Sequence, residues 1–148
     1  MKEIRVHARA GQGAITTAML LATAAFEEGR YALAFPHFGA ERLGAPMNAF
    51  GRLDSQPIRK RSQVRNPDYV LVQDPTIIKD FDVTDGLAAN GLVIINTSIL
   101  PSQMKPREQR IITIPASLIA EEVMGRADRA NTALLGAFVA ATGKVSLE

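Results

Sequence analysis

Cysteine is absent from the 148 residues, and its absence excludes thiolate catalysis, cysteine-ligated iron–sulfur clusters, zinc sites built on cysteine and any disulfide evidence for export. An electron-carrying cluster, if the function needs one, has to sit on another chain. Charge of one sign is also lacking: the formal net charge is +2, and apart from Arg59-Lys60-Arg61 the basic residues are scattered. That triplet reads as a solvated turn, and no nucleic-acid partner is expected. No apolar run reaches the length of a signal peptide or a membrane span, and Met1-Lys2-Glu3 turns straight into a strand-like segment. A cytoplasmic chain without membrane contact is the expectation. What is present is ordinary globular composition, 47% apolar and 22% charged, in a chain long enough to bury a core as one domain over residues 1–148 without staples.

Ile4-Arg5-Val6-His7-Ala8 alternates apolar and polar residues and runs into Arg9-Ala10-Gly11-Gln12-Gly13, a strand entering a tight turn. Ala14 to Glu28 is rich in Ala, Leu and Met, holds neither Pro nor Gly, and ends at Gly29, which predicts a helix with a C-terminal glycine. Tyr31 to Phe35 predicts a strand stopping at Pro36, followed by an ordered loop to Pro46; Met47 to Leu53 predicts another strand, returning through Asp54-Ser55-Gln56 to an edge strand at Pro57-Ile58-Arg59. Tyr69 to Val72, Leu92 to Asn96 and Arg110 to Ile114 are continuous apolar runs of the kind buried on both faces of a parallel sheet. Helical stretches are expected at Asp85 to Asn90, Ser117 to Met124 and Ala130 to Ala141. The fold class is therefore α/β: a three-layer Rossmann-like sandwich with a mostly parallel, mixed sheet covered on both faces and an inserted β-hairpin. Ser146 resembles a helix N-cap with no helix after it, which suggests a truncated C-terminus, although Leu147-Glu148 also fits a cloning remnant.

Three constellations carry possible chemistry. Ala8-Arg9-Ala10-Gly11-Gln12-Gly13 stands between the first strand and first helix, where small residues expose backbone amides able to hold an anion; the full G-x-G-x-x-G pattern is missing, so tight packing, a phosphate-bearing ligand and a partner contact all remain open. Phe35 to Pro46 is a dense loop containing His37, Glu41 and Arg42; the adjacent charges of Glu41 and Arg42 suit an ion pair with another chain or a ligand as well as internal pairing. Gln73-Asp74-Pro75 and Asn96-Thr97-Ser98 lie at the carboxyl edge of the expected sheet, with capping of the following turn as the plainer role for each. His37 and His7 lack an evident carboxylate partner and are expected to be structural or surface residues. No Ser-His-Asp order, paired carboxylates, zinc signature or Walker loop can be assembled, so no catalytic or metal-binding residue is assigned.

These strings, taken in order, resemble the gamma subunits of pyruvate:ferredoxin oxidoreductase and its 2-oxoacid relatives. The resemblance rests on Gly11-Gln12-Gly13, Phe35-Pro36 with Gly39, Glu41-Arg42 and Gly44-Ala45-Pro46, Pro67-Asp68-Tyr69-Val70 leading to Gln73-Asp74-Pro75, Asp82 to Leu87, Gly91 with Ile94-Ile95-Asn96, and Asn131 with Leu134 to Phe138. It implies a complex that decarboxylates a 2-oxoacid, pyruvate being the commonest, on thiamine diphosphate with Mg, passes electrons through iron–sulfur clusters to ferredoxin or a similar acceptor, and makes acyl-CoA. The implied partners are the alpha, beta and cluster-binding delta subunits. Gly11, Gln12, Gly13, Glu41 and Arg42 are carried over as residues near coenzyme A or at an interface, with this chain shaping the coenzyme A site rather than performing catalysis. Relatives usually have Gly where this chain has Ala8 and Ala10, and Arg where it has Leu43, departures that put a phosphate site at the turn in doubt. The small subunit of an indolepyruvate or aryl-glyoxylate oxidoreductase, and an independent nucleotide- or CoA-binding module, are the competing readings.

Overall fold

The computed structural model describes residues 1–37, 43–104 and 108–147. Six strands, β1 (Lys2–Arg9), β2 (Tyr31–His37), β3 (Pro46–Asp54), β4 (Tyr69–Val72), β5 (Leu92–Asn96) and β6 (Arg110–Ile114), form one sheet in the order β2-β3-β1-β4-β5-β6. β1, β4, β5 and β6 are mutually parallel, while β3 runs antiparallel to both β1 and β2. Three helices, α1 (Ala14–Glu27), α2 (Ala116–Met124) and α3 (Ala130–Thr142), complete the regular elements. Among the described residues no helix is long and apolar enough to cross a membrane.

Alternation along β1 decides what each face receives. Ile4, Val6 and Ala8 point into the main core with Ala49, Leu53, Leu71, Leu92 and Ile94, against Ala14, Ala18, Leu21 and Ala25 of α1 and Leu134 and Phe138 of α3. The alanines let α1 approach the sheet closely. Its end is fixed by Gly29, whose positive φ closes the turn in which Arg30 N–H returns to Ala25 O. On the opposite face Val70, Val72, Val93 and Ile95 pack against Ile77 and Val83.

The three layers are present, but the two covering layers differ in kind. Ala116, Leu134 and Phe138 belong to the same core cluster as the α1 residues, so all three helices lie on one face. The second face of β4 and β5 is covered by a 3-10 turn at Pro75–Lys79 and by turns through residues 83–86. Asp85 to Asn90 is not helical, because its backbone groups are claimed from elsewhere: Asp85 O accepts from Arg5 Nη2 at 2.6 Å and Gly86 O from Asn66 Nδ2 at 3.2 Å, while Ala88 N–H donates to Pro67 O. Gly86 then takes a φ of 72°, and a Cβ added there would stand 2.1 Å from Arg65 O. Gly86→Ala combines left-handed strain with a backbone clash and is expected to cost roughly 2 kcal/mol or more, read as a lowered urea midpoint. An unchanged midpoint would contradict this packing.

The antiparallel hairpin also differs from the expected one. It is made by β2 and β3, paired from Tyr31↔Asp54 to His37↔Asn48, and Pro57-Ile58-Arg59 is not a strand. Pro57 brings no N–H to a ladder, and the carbonyls of Lys60 and Ser62 accept from the buried guanidinium of Arg52 instead. β2 continues through Pro36, which an edge strand tolerates.

Candidate functional site

The carboxyl ends of β1, β4 and β5 meet the first turn of α1, and their polar side chains form one connected network there. Thr17 Oγ donates to Gln73 Oε1 at 2.5 Å, and Gln73 Nε2 donates to Gln12 O at 2.8 Å. Asn96 Nδ2 reaches Gln73 O and Ser117 Oγ, while Ser117 N–H returns to Asn96 Oδ1. Gln12 accepts from Arg9 N–H and donates to Asp74 Oδ2 at 2.7 Å. Asp74 caps the 3-10 turn through Thr76 N–H and Thr76 Oγ, and Thr76 in turn accepts from the Arg9 guanidinium at 2.9 Å. Burial alone would raise the Asp74 carboxyl, but the bonds from Thr76 and Gln12 and the nearby Arg9 charge outweigh it and hold the pKa below the ordinary carboxylate value. Asp74 thus has its expected capping role and a second one, tying the turn to the sheet.

The network immobilises Gly11-Gln12-Gly13. Gly11 and Gly13 have φ of 92° and 78°, conformations that favour glycine. Gly13 opens α1 without a side-chain cap, and no acidic residue stands in the first turn. The amides of that turn have no acceptor within the helix, so a fixed cluster of N–H donors lies at the positive end of the α1 dipole. Asn131 in the first turn of α3 belongs to the same neighbourhood: its Nδ2 would lie 3.8 Å from a Cβ at Gly13. Leu43, 92% exposed, reaches over the turn from the other side, its Cδ1 2.8 Å from where a Gly11 Cβ would be.

Of the site residues expected from sequence, Gly11, Gln12 and Gly13 come together at this edge with Gln73, Asp74 and Asn96. Glu41 and Arg42 lie outside the described residues. His37 faces Gln63, its Nδ1 2.6 Å from the amide nitrogen. His7 lies on the sheet face away from the helices, buried beside Arg5. Arg5, Thr17 and Thr76 were not singled out from sequence, while Arg9 belonged to the turn constellation; the charged half of the β1 alternation was the available signal for Arg5.

The chain from residue 3 to residue 148 matches the sequence profile of the pyruvate ferredoxin/flavodoxin oxidoreductase family. The chain belongs to that family. It is 48% identical over 149 aligned residues to the pyruvate synthase subunit PorC of Methanosarcina barkeri, covering all of this chain and 81% of that one. It is 47% identical over 152 aligned residues to the pyruvate/ketoisovalerate oxidoreductases common subunit gamma of Thermococcus kodakarensis, covering all of this chain and 82% of that one. Among solved structures, the pyruvate oxidoreductase subunit PORC of Thermotoga maritima superposes with a TM-score of 0.85 at 39% identity, covering 99% of this chain and 79% of that one. Within the family it is a gamma-type chain, and the mixed sheet with its β2–β3 hairpin is the gamma fold.

Proposed function

We propose that this gamma-type chain, acting as one domain over residues 1–148, is a subunit of a 2-oxoacid:acceptor oxidoreductase that uses thiamine diphosphate and iron–sulfur clusters. Pyruvate is the proposed 2-oxoacid, ferredoxin or a similar carrier the acceptor, and acyl-CoA with CO2 the products. The observation that carries this reading is the full-length similarity to PorC and common gamma subunits at 47–48% identity. The absence of cysteine agrees with it, since clusters must then be held by other chains. The alpha, beta and delta subunits are the proposed partners, in the cytoplasm and away from membrane and nucleic acid.

The chain's own contribution in this reading is structural and coenzyme A-shaping. The turn at Gly11-Gln12-Gly13 suits an anionic group such as the phosphates of coenzyme A: it offers uncapped amides at a helix N-terminus, has no acid in the first turn and is held rigid by Gln73 and Asp74. Coenzyme A would supply the thiol that accepts the acyl group. Gly11, Gln12 and Gly13, with Glu41 and Arg42 carried over from the family resemblance, are the residues proposed to lie near it.

Purification through a mild affinity tag from the native source, with mass spectrometry of every co-eluting chain and a CoA-dependent 2-oxoacid oxidation assay with a low-potential dye, tests the subunit reading. Co-elution of active thiamine- and cluster-binding chains is the expected result; a lone inactive chain that binds a nucleotide saturably would replace it with the independent-module reading. In the active complex, Arg42→Glu is expected to raise the KM for coenzyme A more than that for the 2-oxoacid. Equal rises would show an assembly defect instead.

A further inference from the structure

On the sheet face away from the helices, β1 carries the column Glu3, Arg5, His7, Arg9. Two buried or half-buried arginines of this face have carboxylates within 4 Å: Arg52 meets Glu3 at 2.8 Å, and Arg9 meets Asp74 at 3.6 Å. Arg5 differs. It is 7% exposed, yet among the described residues it has no ion pair; its Nη2 is used by the carbonyls of Val83 and Asp85, and its Nε donates to His7 Nε2 at 3.0 Å. Because a guanidinium can only donate, His7 Nε2 must be the acceptor, which places the imidazole proton on Nδ1 and keeps the ring neutral. Neither Arg5 Nη1 nor His7 Nδ1–H has a hydrogen-bond partner among the described residues, and neither is a sealed, unsatisfied atom. Both side chains line a cleft of about 510 Å³, with Met47, Asn48, Phe81 and Asp85 among its other walls.

We propose that this cleft is a binding pocket for a single carboxylate group, received by Arg5 Nη1 and the His7 Nδ1–H. A buried guanidinium whose remaining donors face a cavity lacks its usual charge partner, and a planar acceptor-only group supplies it. The neutral His7 donor adds orientation without adding charge. Asp82 and Asp85 act on Arg5 through space from the same cleft, so the pocket as a whole is not cationic. It accepts one negative charge beside an apolar body, which Ile77 and Phe81 would cover, and disfavours a multiply charged phosphate. The carboxylate has two available sources, a free small acid or an aspartate or glutamate side chain of a partner chain. The pocket itself does not depend on the subunit reading; the second source does.

The test uses the full chain labelled with 15N-histidine, and follows the His7 ring nitrogens while acetate or inorganic phosphate is added at constant ionic strength. Acetate is expected to shift the Nδ1–H signal saturably, with phosphate failing to compete. Arg5→Lys should weaken acetate roughly tenfold by losing the forked donors, and Asn48→Trp, on the face of its β1 partner His7, should block the cleft. Asp85→Asn, which removes a negative charge from an exposed wall residue, should tighten binding, a gain that unfolding cannot mimic. Acetate binding that persists in the assembled complex assigns the pocket to a free acid. Loss of binding on assembly, together with weaker assembly of Arg5→Lys, assigns it to a partner side chain. The proposal is overturned if acetate has no saturable effect on either the wild type or Asp85→Asn and assembly ignores Arg5→Lys, if phosphate binds as well as acetate, or if Asn48→Trp leaves binding unchanged.

Discussion

Lowering the pH from 7 to about 4 is expected to remove roughly 3 kcal/mol of folding stability through His7 alone. Burial, and secondarily the charge of Arg5, pushes the His7 pKa from 6.5 down to about 3 in the folded chain. The direction follows from proton counts. Between these two values the unfolded chain carries a proton on this imidazole and the folded chain does not, so acid favours the unfolded state and stability rises with pH. The stabilisation is complete above pH 6.5 and lost progressively as the pH falls toward 3. The hydrogen bond gives the same answer independently, since an imidazolium has no lone pair for Arg5 Nε and would stand against a guanidinium 3.0 Å away. Asp54 and Asp74 hold their carboxyls below the ordinary value of 3.8, so their acid losses fall mainly below the window used here. Urea unfolding of wild type and His7→Gln at several pH values between 4 and 7 is the check. Glutamine can still accept from Arg5 but cannot titrate, so its stability should vary less over that range. Parallel curves for the two proteins would mean that His7 is protonated in the folded chain.

How much of this was readable in the sequence depends on whether a residue's partners are local. The parallel strands β4, β5 and β6 were legible because strands covered on both faces show continuous apolar runs, and α1 because its alanine-rich stretch ends in a glycine with positive φ. Gly11-Gln12-Gly13 was legible as a turn for the same local reason. The opposite face of β1 was not. An alternating Glu-Arg-His pattern is the ordinary mark of a solvated strand face, and only the arrival of Arg52 from β3 and of the carbonyls of Val83 and Asp85 turns it into a buried polar layer. Long-range hydrogen bonds also bear on the two missed local readings: Arg52 holds the carbonyls of Lys60 and Ser62, just after the expected strand at Pro57-Ile58-Arg59, and Arg5 takes the carbonyl of Asp85, the first residue of the helix expected at Asp85 to Asn90. The placement of Asn131 near Gly13 is equally non-local, produced by α3 starting at the same sheet edge as α1.

Glu3→Gln is expected to cost about 3 kcal/mol, more than Arg52→Met at the other end of the same pair, although arginine is the larger side chain. Arg52 has 0% exposure, and the only carboxylate in contact with it among the described residues is Glu3, at 2.8 Å; Lys60 Nζ approaches the same oxygen at 3.1 Å. Glutamine preserves the shape and an acceptor but leaves two cations beside each other, one of them unable to reach water. Removing Arg52 instead leaves Glu3 paired with Lys60, which is half exposed, and leaves the carbonyls of Lys60 and Ser62 without their donor. Those carbonyls belong to an exposed segment without regular structure and can turn to solvent, so the expected loss is about 1–2 kcal/mol. The double variant should be less destabilised than the sum of the single ones, because the charge stranded by Glu3→Gln is gone in it. Urea denaturation of the three variants measures the cycle. If Arg52→Met proves the more damaging change, the guanidinium matters chiefly as the clamp on residues 60–62, and the ion pair with Glu3 is secondary to that clamp.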